Sequence, residues 1–223
     1  MMLRRRPMAR ISKDPDERRR EIINAAEKLF NEKGFENTAV SDIVKSIGVA
    51  QGTFYYYFKS KDDVFCTIAE EFLDTFMESF VLIVDNEKLD VVEKVEMIFD
   101  KGIELIKNNE GVMFNLHTRD NMELHEKVER KFIEYATPLV IKIVKQGIEE
   151  KIFDIEYPEE VVTFLMMGSH FLGDLNIYLE GRDIYIERLQ AVVFIAQRVL
   201  GIDKSVMERI IGKYMDRFIN LVI

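Results

Sequence analysis

Gln51, Gly52 and Thr53 stand directly before five aromatic residues in a row, Phe54, Tyr55, Tyr56, Tyr57 and Phe58, and lysines follow at positions 59 and 61. Side-chain amides and hydroxyls of this kind exchange hydrogen bonds with base-pair edges, whereas ammonium groups and hydroxyls suit phosphate oxygens. If the stretch is a short helix, Phe54, Tyr55 and Phe58 share its inward side as the helix core, while Gln51, Gly52 and Tyr56 stay outside. Thr53 and Tyr57 lie four apart at its edge. Gln51, Thr53 and Tyr56 are the candidates for reading bases, and Gly52, Tyr57 and Lys61 for meeting phosphates. Gly52 permits close backbone approach, and Thr53 places a hydroxyl near free helix amides. A helical hairpin whose rings only fill a core is the plainer reading. It accounts for Phe54 and Phe58, but not for a Gln-Gly-Thr start, since glycine and threonine are poor helix formers.

The other residues able to do chemistry form weaker patterns. His117 and Asp120 could share a helix end, with His125 eight positions from His117; these three with a nearby carboxylate make a helical enzyme one alternative, and Arg119 could answer an anionic effector. The spacing lacks the tight repeat of a metal site, and no nucleophile–base pair or phosphate-cradling glycine loop accompanies it. His170 lies on a long apolar stretch where a hydrogen bond across a helix contact is sufficient use. Cys66 is the single cysteine, so an intrachain disulfide and a cysteine metal cluster are excluded. The expectation is a protein that is not an enzyme and carries no metal or cofactor.

The elements that position these residues read as helices. Only 4 prolines and 11 glycines interrupt 223 residues, and a 48% hydrophobic content is enough for a core. Ile22, Ala26, Leu29 and Phe30 stripe a helix from Pro15 or Asp16 to Lys33, which Gly34 stops. A short helix follows over about 40–47, with Thr38 or Ala39 at its start and Gly48 at its end, then a third over about 51–58. Two short helices around a tight glycine turn, braced by a longer one, form a helix-turn-helix. Further helices are expected at 62–84, 88–109, 111–118, 121–150, 158–180, 183–200 and 203–222, giving an all-α fold of about nine or ten helices. Pro138 falls inside one of these and predicts a kink or break near Thr137.

The net charge of −9 is unevenly distributed. Residues 1–61 hold 13 Lys or Arg against 8 Asp or Glu, a balance of +5, and the remainder balances at −14. A basic head on an acidic body suits phosphate contact at the head alone. Three divisions follow: a flexible basic arm at 1–15, a helix-turn-helix domain at 16–61 and a helical body at 62–223. Arg4, Arg5, Arg6 and Arg10 of the arm suit a minor groove, the phosphate backbone or plain solvation. The first residues lack a signal peptide's apolar core, and no apolar run reaches membrane-spanning length, so the expected location is cytoplasmic and the expected partners exclude membranes.

The stretch "KLFNEKGFENTAVSDIVKSIGVAQGTFYYYFKSKDDVF" resembles the DNA-binding domain of tetracycline-repressor-type (TetR family) transcription regulators over roughly residues 17–68. The resemblance rests on Phe30 and Gly34, the Gly48-Val49-Ala50 turn, the Gly52-Thr53 start, Tyr55, Phe58 and Lys61. It implies that residues 51–57 form the recognition helix and that Thr38, Gly52, Tyr56, Tyr57 and Lys61 touch DNA. Two positions depart from the family pattern: Tyr57 stands where histidine is frequent, and Ala50 where serine is frequent and would cap the helix.

The same resemblance implies a homodimer on a palindromic operator, most simply a repressor released by a small molecule; the acidic body and aromatic surfaces leave a helical protein-interaction module as a further alternative. Phe164, Leu165, Gly168, Phe171, Leu172 and Leu175 on one helix, with Leu189, Val192 and Val193 on the next, are the candidate pairing residues. Met97, Phe99, Ile103, Met113, Phe114, Met122, Phe132 and Tyr135, with His117 and Arg119, are the candidates for lining a pocket for a mostly apolar effector.

Overall fold

The computed structural model describes residues 14–112, 122–173 and 182–222. Among them every regular element is a helix: α1 (Pro15–Lys33), α2 (Val40–Ser46), α3 (Gln51–Tyr57), α4 (Lys61–Val84), α5 (Val91–Asn108), α6 (Met122–Glu149), α7 (Pro158–Gly173), α8 (Arg182–Val199) and α9 (Lys204–Val222). The chain divides into two compact units, Met1–Phe65 and Cys66–Ile223.

In the first unit each helix has a chemical start and stop. Asp14 accepts a hydrogen bond from the Asp16 amide, Pro15 supplies a preset φ, and Gly34 ends α1 at φ +81°, a value that favours glycine. Gly48 makes the α2–α3 turn at φ +69°. Ala39, not Thr38, is the N-cap of α2, and the Asp42 carboxylate accepts from its amide at 3.2 Å. The start of α4 is held reciprocally: Ser60 Oγ accepts from the Asp63 amide at 3.1 Å, and Asp63 accepts from the Lys59 amide at 2.8 Å. Phe30, Phe35 and Phe65 pack ring to ring at 4.8–5.8 Å, above Ile22, Ile23, Ala26, Ile43 and Val44.

In the second unit α6 packs on α7, α7 on α8, α8 on α9, and α5 on both α6 and α9. Lys94 is buried and, among the described residues, satisfied without a direct carboxylate partner: its ammonium donates to the Val84 carbonyl at 2.6 Å and to Gln146 Oε1 at 2.7 Å. Gln146 in turn donates to the Leu89 carbonyl and to Glu150, whose second oxygen accepts from the Val91 amide. This network closes the turn between α4 and α5 against α6. Of the kink or break expected near Thr137, the break does not occur: α6 continues through Pro138, and the Thr137 hydroxyl donates to the Ile133 carbonyl at 2.6 Å. No helix among the described residues is long and apolar enough to cross a membrane.

Candidate nucleic-acid interface

The third helix divides its aromatic residues by helical angle. Phe54 and Phe58 are four positions apart and both are buried. Tyr55 is turned about 100° from Phe54, and it is 54% exposed, with its ring edge-on to Phe54 at 5.5 Å. The expectation that Tyr55 belongs to the inward side is therefore corrected. Tyr56 is 78% exposed and meets the half-buried Tyr57 ring at 4.9 Å. Gln51 and Gly52 are exposed and Thr53 is half-exposed.

Gly52 is informative because nothing in the fold requires it. A Cβ built there meets no atom within 4 Å, and its φ is not in the left-handed region. Glycine is a poor helix former, and the space beside Gly52 is open to close approach of another backbone. No side chain caps α3 at Ala50, as replacement of a serine implies.

Two of the residues expected at phosphates face inward. Thr38 is 1% exposed; its hydroxyl reaches the Gly34 carbonyl at 2.8 Å and the Leu29 carbonyl at 3.3 Å, and its amide donates to Phe35. A hydroxyl buried and bonded in this way seals the α1–α2 turn, so Thr38 is corrected from a phosphate contact and from a cap to a structural residue. Lys61 donates to the Phe35 carbonyl at 2.6 Å and lies 4.0 Å from the centroid of the Phe35 ring. An ammonium has three donors, so two remain for an external anion. Arg19 covers the Phe58 ring at 5.1 Å and closes the same layer. Arg4, Arg5, Arg6 and Arg10 lie outside the described residues.

The expected effector pocket is only partly within view. Met113, Phe114, His117, Arg119 and Asp120 lie outside the described residues, as do the side chains of Met122, His125 and His170. Among the rest, Ile103 is core, Phe99 stacks on Tyr214 at 5.1 Å, and Phe132 packs near Phe76 at 6.1 Å. Met97 is exposed, because the helical turn rotates it away from the buried Val92 and Ile103, and it lines no described cavity, whereas Tyr135, also exposed, borders an open groove between α4 and α6. No set of His, Cys, Asp and Glu suited to a metal ion occurs among the described residues.

On α7 and α8 the structure leaves large apolar side chains uncovered. Phe164 is 68% exposed and Phe194 57%, and Met167, Ile184 and Ile195 are exposed near them in sequence. Leu165, Gly168, Leu172, Leu189, Val192 and Val193 are half-buried, and a Cβ at Gly168 meets nothing within 4 Å. The Phe171 side chain and Leu175 lie outside the described residues. Met167 and Phe194 were not singled out from sequence, although each extends the helical stripe of its neighbours.

A three-helix head with a polar, aromatic recognition surface, followed by a helical body, defines a helix-turn-helix DNA-binding regulator. Residues 22–66 match the bacterial regulatory proteins of the tetR family, and residues 104–193 match the tetracyclin repressor-like C-terminal domain. A Bacillus subtilis fatty acid metabolism regulator protein is 31% identical over 132 residues, which span 58% of this chain and 67% of the relative. An HTH-type transcriptional regulator of Staphylococcus aureus is 31% identical over 109 residues, 49% of this chain and 58% of the relative. The chain belongs to the tetR family of transcriptional regulators. Among solved structures, a transcriptional regulator from Cytophaga hutchinsonii (19% identity, TM-score 0.57, 93% of this chain and 98% of the other) and one of the TetR/AcrR family from Thermobifida fusca (23%, 0.53, 82% and 97%) share the fold.

Proposed function

We propose that the protein is a cytoplasmic, dimeric repressor that inserts α3 of each subunit into successive major grooves of a palindromic operator and is released by a mostly apolar small molecule. The observation that carries the DNA reading is the outward face of α3: Gln51, Gly52 and Tyr56 are exposed around the buried Phe54 and Phe58. Gln51, Thr53 and Tyr56 address base edges, and Gly52, Tyr57 and the two remaining donors of Lys61 address phosphates. The uncovered stripe of Phe164, Met167, Phe194 and Ile195 supports pairing through α7 and α8. A shared two-fold axis would place equivalent half-sites about 34 Å apart.

The effector part of the reading draws on the family and on the Bacillus relative, whose name concerns fatty acid metabolism. Helix α4 contributes Val64 and Phe65 to the core of the first unit and Ile68, Leu73 and Phe80 to that of the second, so it is the element through which a ligand in the body acts. A coupling of about 1–3 kcal/mol would suffice.

The test is selection of bound duplexes from a random pool, followed by titration of the recovered sequence. The expected result is a two-fold symmetric site whose affinity falls steeply between low and physiological salt. A pool that yields no enriched duplex would overturn the reading.

A further inference from the structure

The sequence of α3 is informative for what it lacks. Its seven residues, Gln51 to Tyr57, contain no Arg, Lys, Asp or Glu. The lysines come after the helix: Lys59 follows Phe58, whose backbone is already extended, and the Lys61 ammonium is tied to the Phe35 carbonyl at 2.6 Å. What α3 exposes is the amide of Gln51, bare backbone at Gly52, part of the Thr53 side chain and two large rings, Tyr55 and Tyr56.

Each base edge in a major groove asks for different chemistry. Guanine presents paired acceptors, N7 and O6, whose usual partner is an arginine or lysine with paired donors. Neither stands on α3. Adenine presents an acceptor at N7 beside a donor at N6, and the amide of Gln51 matches them with its own donor and acceptor. Against guanine the Gln51 carbonyl oxygen would face another acceptor.

The rings match thymine. Its C5 methyl is the apolar group of the major-groove edge, and packing a ring against it removes both from water. Cytosine carries only hydrogen at C5 and offers a ring no such group. Each exposed ring is braced by another: Tyr56 meets the half-buried Tyr57 edge-on at 4.9 Å, and Tyr55 meets the buried Phe54 edge-on at 5.5 Å. A braced ring has less side-chain freedom to lose when it is covered. The open space beside Gly52 lets the helix come close enough for such contacts.

Resting on the reading of α3 as the base-contacting helix, we infer that the base pairs it meets are A·T, with adenine read by Gln51 and thymine recognised through its methyl group by Tyr56. Tyr57 is the positioning residue that holds the Tyr56 ring, and its hydroxyl stays free for a phosphate. Selectivity at these base pairs then comes from an amide and an apolar contact, while charge elsewhere on the head supplies affinity without base choice.

The test takes the duplex recovered from a random pool and replaces its thymines by deoxyuridine one at a time, which removes the methyl group and keeps the base pair. By fluorescence anisotropy the wild-type protein should lose about fourfold in affinity at the positions Tyr56 meets. In Tyr56→Ala the same replacements should make no difference. Tyr57→Ala should shrink the thymine preference, whereas Tyr57→Phe, which keeps the ring, should retain it. Replacing adenines by 7-deazaadenine should weaken wild type several-fold at the position read by Gln51, and leave Gln51→Ala unaffected there. Tyr56 is 78% exposed, so its removal leaves the core intact, and an unchanged melting temperature verifies this. A recovered duplex in which no deoxyuridine alters affinity, or a loss that persists undiminished in Tyr56→Ala, would overturn the inference and leave the operator reading standing. Undiminished thymine preference in Tyr57→Ala would overturn the positioning role. A pool that yields no enriched duplex would overturn both the inference and the reading beneath it.

Discussion

The Lys131 ammonium sits 2.7 Å from the Asp74 carboxylate, and the 57 positions between them recur between Lys127 and Glu70 and between Lys142 and Asp85. A constant difference in residue number, rather than a constant sum, means that α4 and α6 point the same way. The hydrogen bond from Lys131 to Asp74 holds its pKa above the ordinary lysine value, as that to Glu70 does for Lys127. The stabilisation this represents is complete below the usual lysine range and disappears as pH rises through the raised value. A double-mutant cycle of Asp74→Asn and Lys131→Met should return a coupling of about 0.2–1 kcal/mol at low salt. No measurable coupling would show that the pair is not formed.

Gly52→Ala separates folding from recognition. The new methyl group meets nothing within the subunit, so the melting temperature should hold or rise, by up to about 1 kcal/mol of added stability. Operator affinity should fall nonetheless, and Tyr56→Ala should lower it by about tenfold or more, a loss of roughly 1–3 kcal/mol. Unchanged affinity in both variants, measured by fluorescence anisotropy, would remove α3 from the interface.

Thr38→Val should act on stability. Removing the hydroxyl leaves the Gly34 carbonyl without that donor inside a buried turn, at a cost of about 1–3 kcal/mol in chemical denaturation. The salt dependence of DNA binding by the folded fraction should stay as it was. A reduced salt slope with full stability would return Thr38 to the phosphate contacts.

Phe164→Glu and Phe194→Glu each place a charge on the uncovered stripe without disturbing a buried side chain. Sedimentation should show monomers with unaltered helical content. Dimers that persist in both variants would move the pairing face elsewhere.

Acid should expose the tie between α5 and α9. Asp100 accepts from Arg217 at 2.7 Å and from the Tyr214 hydroxyl at 3.0 Å. Partial burial raises its pKa, but these hydrogen bonds and the charges of Lys213 and Arg217 outweigh it and hold the carboxyl below the usual aspartate value. Its contribution is therefore present above the unfolded pKa and lost as pH falls through the lower folded one. Thermal melts should show wild type above Asp100→Asn at pH 6, with the gap closing below pH about 4. A gap that does not vary with pH would deny the carboxylate this role.

Much of the head was legible because its rules are local. Gly34 and Gly48 mark left-handed turns, and Pro15 opens a helix, within a few residues of the effect. Burial of Phe54 and Phe58 follows from their spacing of four. Tyr55 was misplaced by grouping aromatic residues before applying the helical angle. The resemblance places Thr38 and Lys61 at DNA, and no local rule corrects it, because their acceptors, Gly34 and Phe35, become available only after the α1–α2 turn has closed. Pro138 does not end its helix, since a long helix packed on α7 retains enough bonds to carry one proline. The offset of 57 between α4 and α6 depends on the path of α5 and the turns around it, which no window along the chain contains.

That offset also limits how α4 can travel along α6. Glu70, Asp74 and Glu78 recur every four residues, as do Lys127 and Lys131. A slide of one helical turn, about 6 Å, brings Lys127 opposite Asp74 and Lys131 opposite Glu78, so two charge pairs are exchanged instead of lost. Halfway positions satisfy neither lysine. The same slide would lose the third pair, Lys142 with Asp85, so the offset of 57 is the one that keeps all three, and engineered cysteine pairs set 57 or 53 positions apart would report whether α4 holds it.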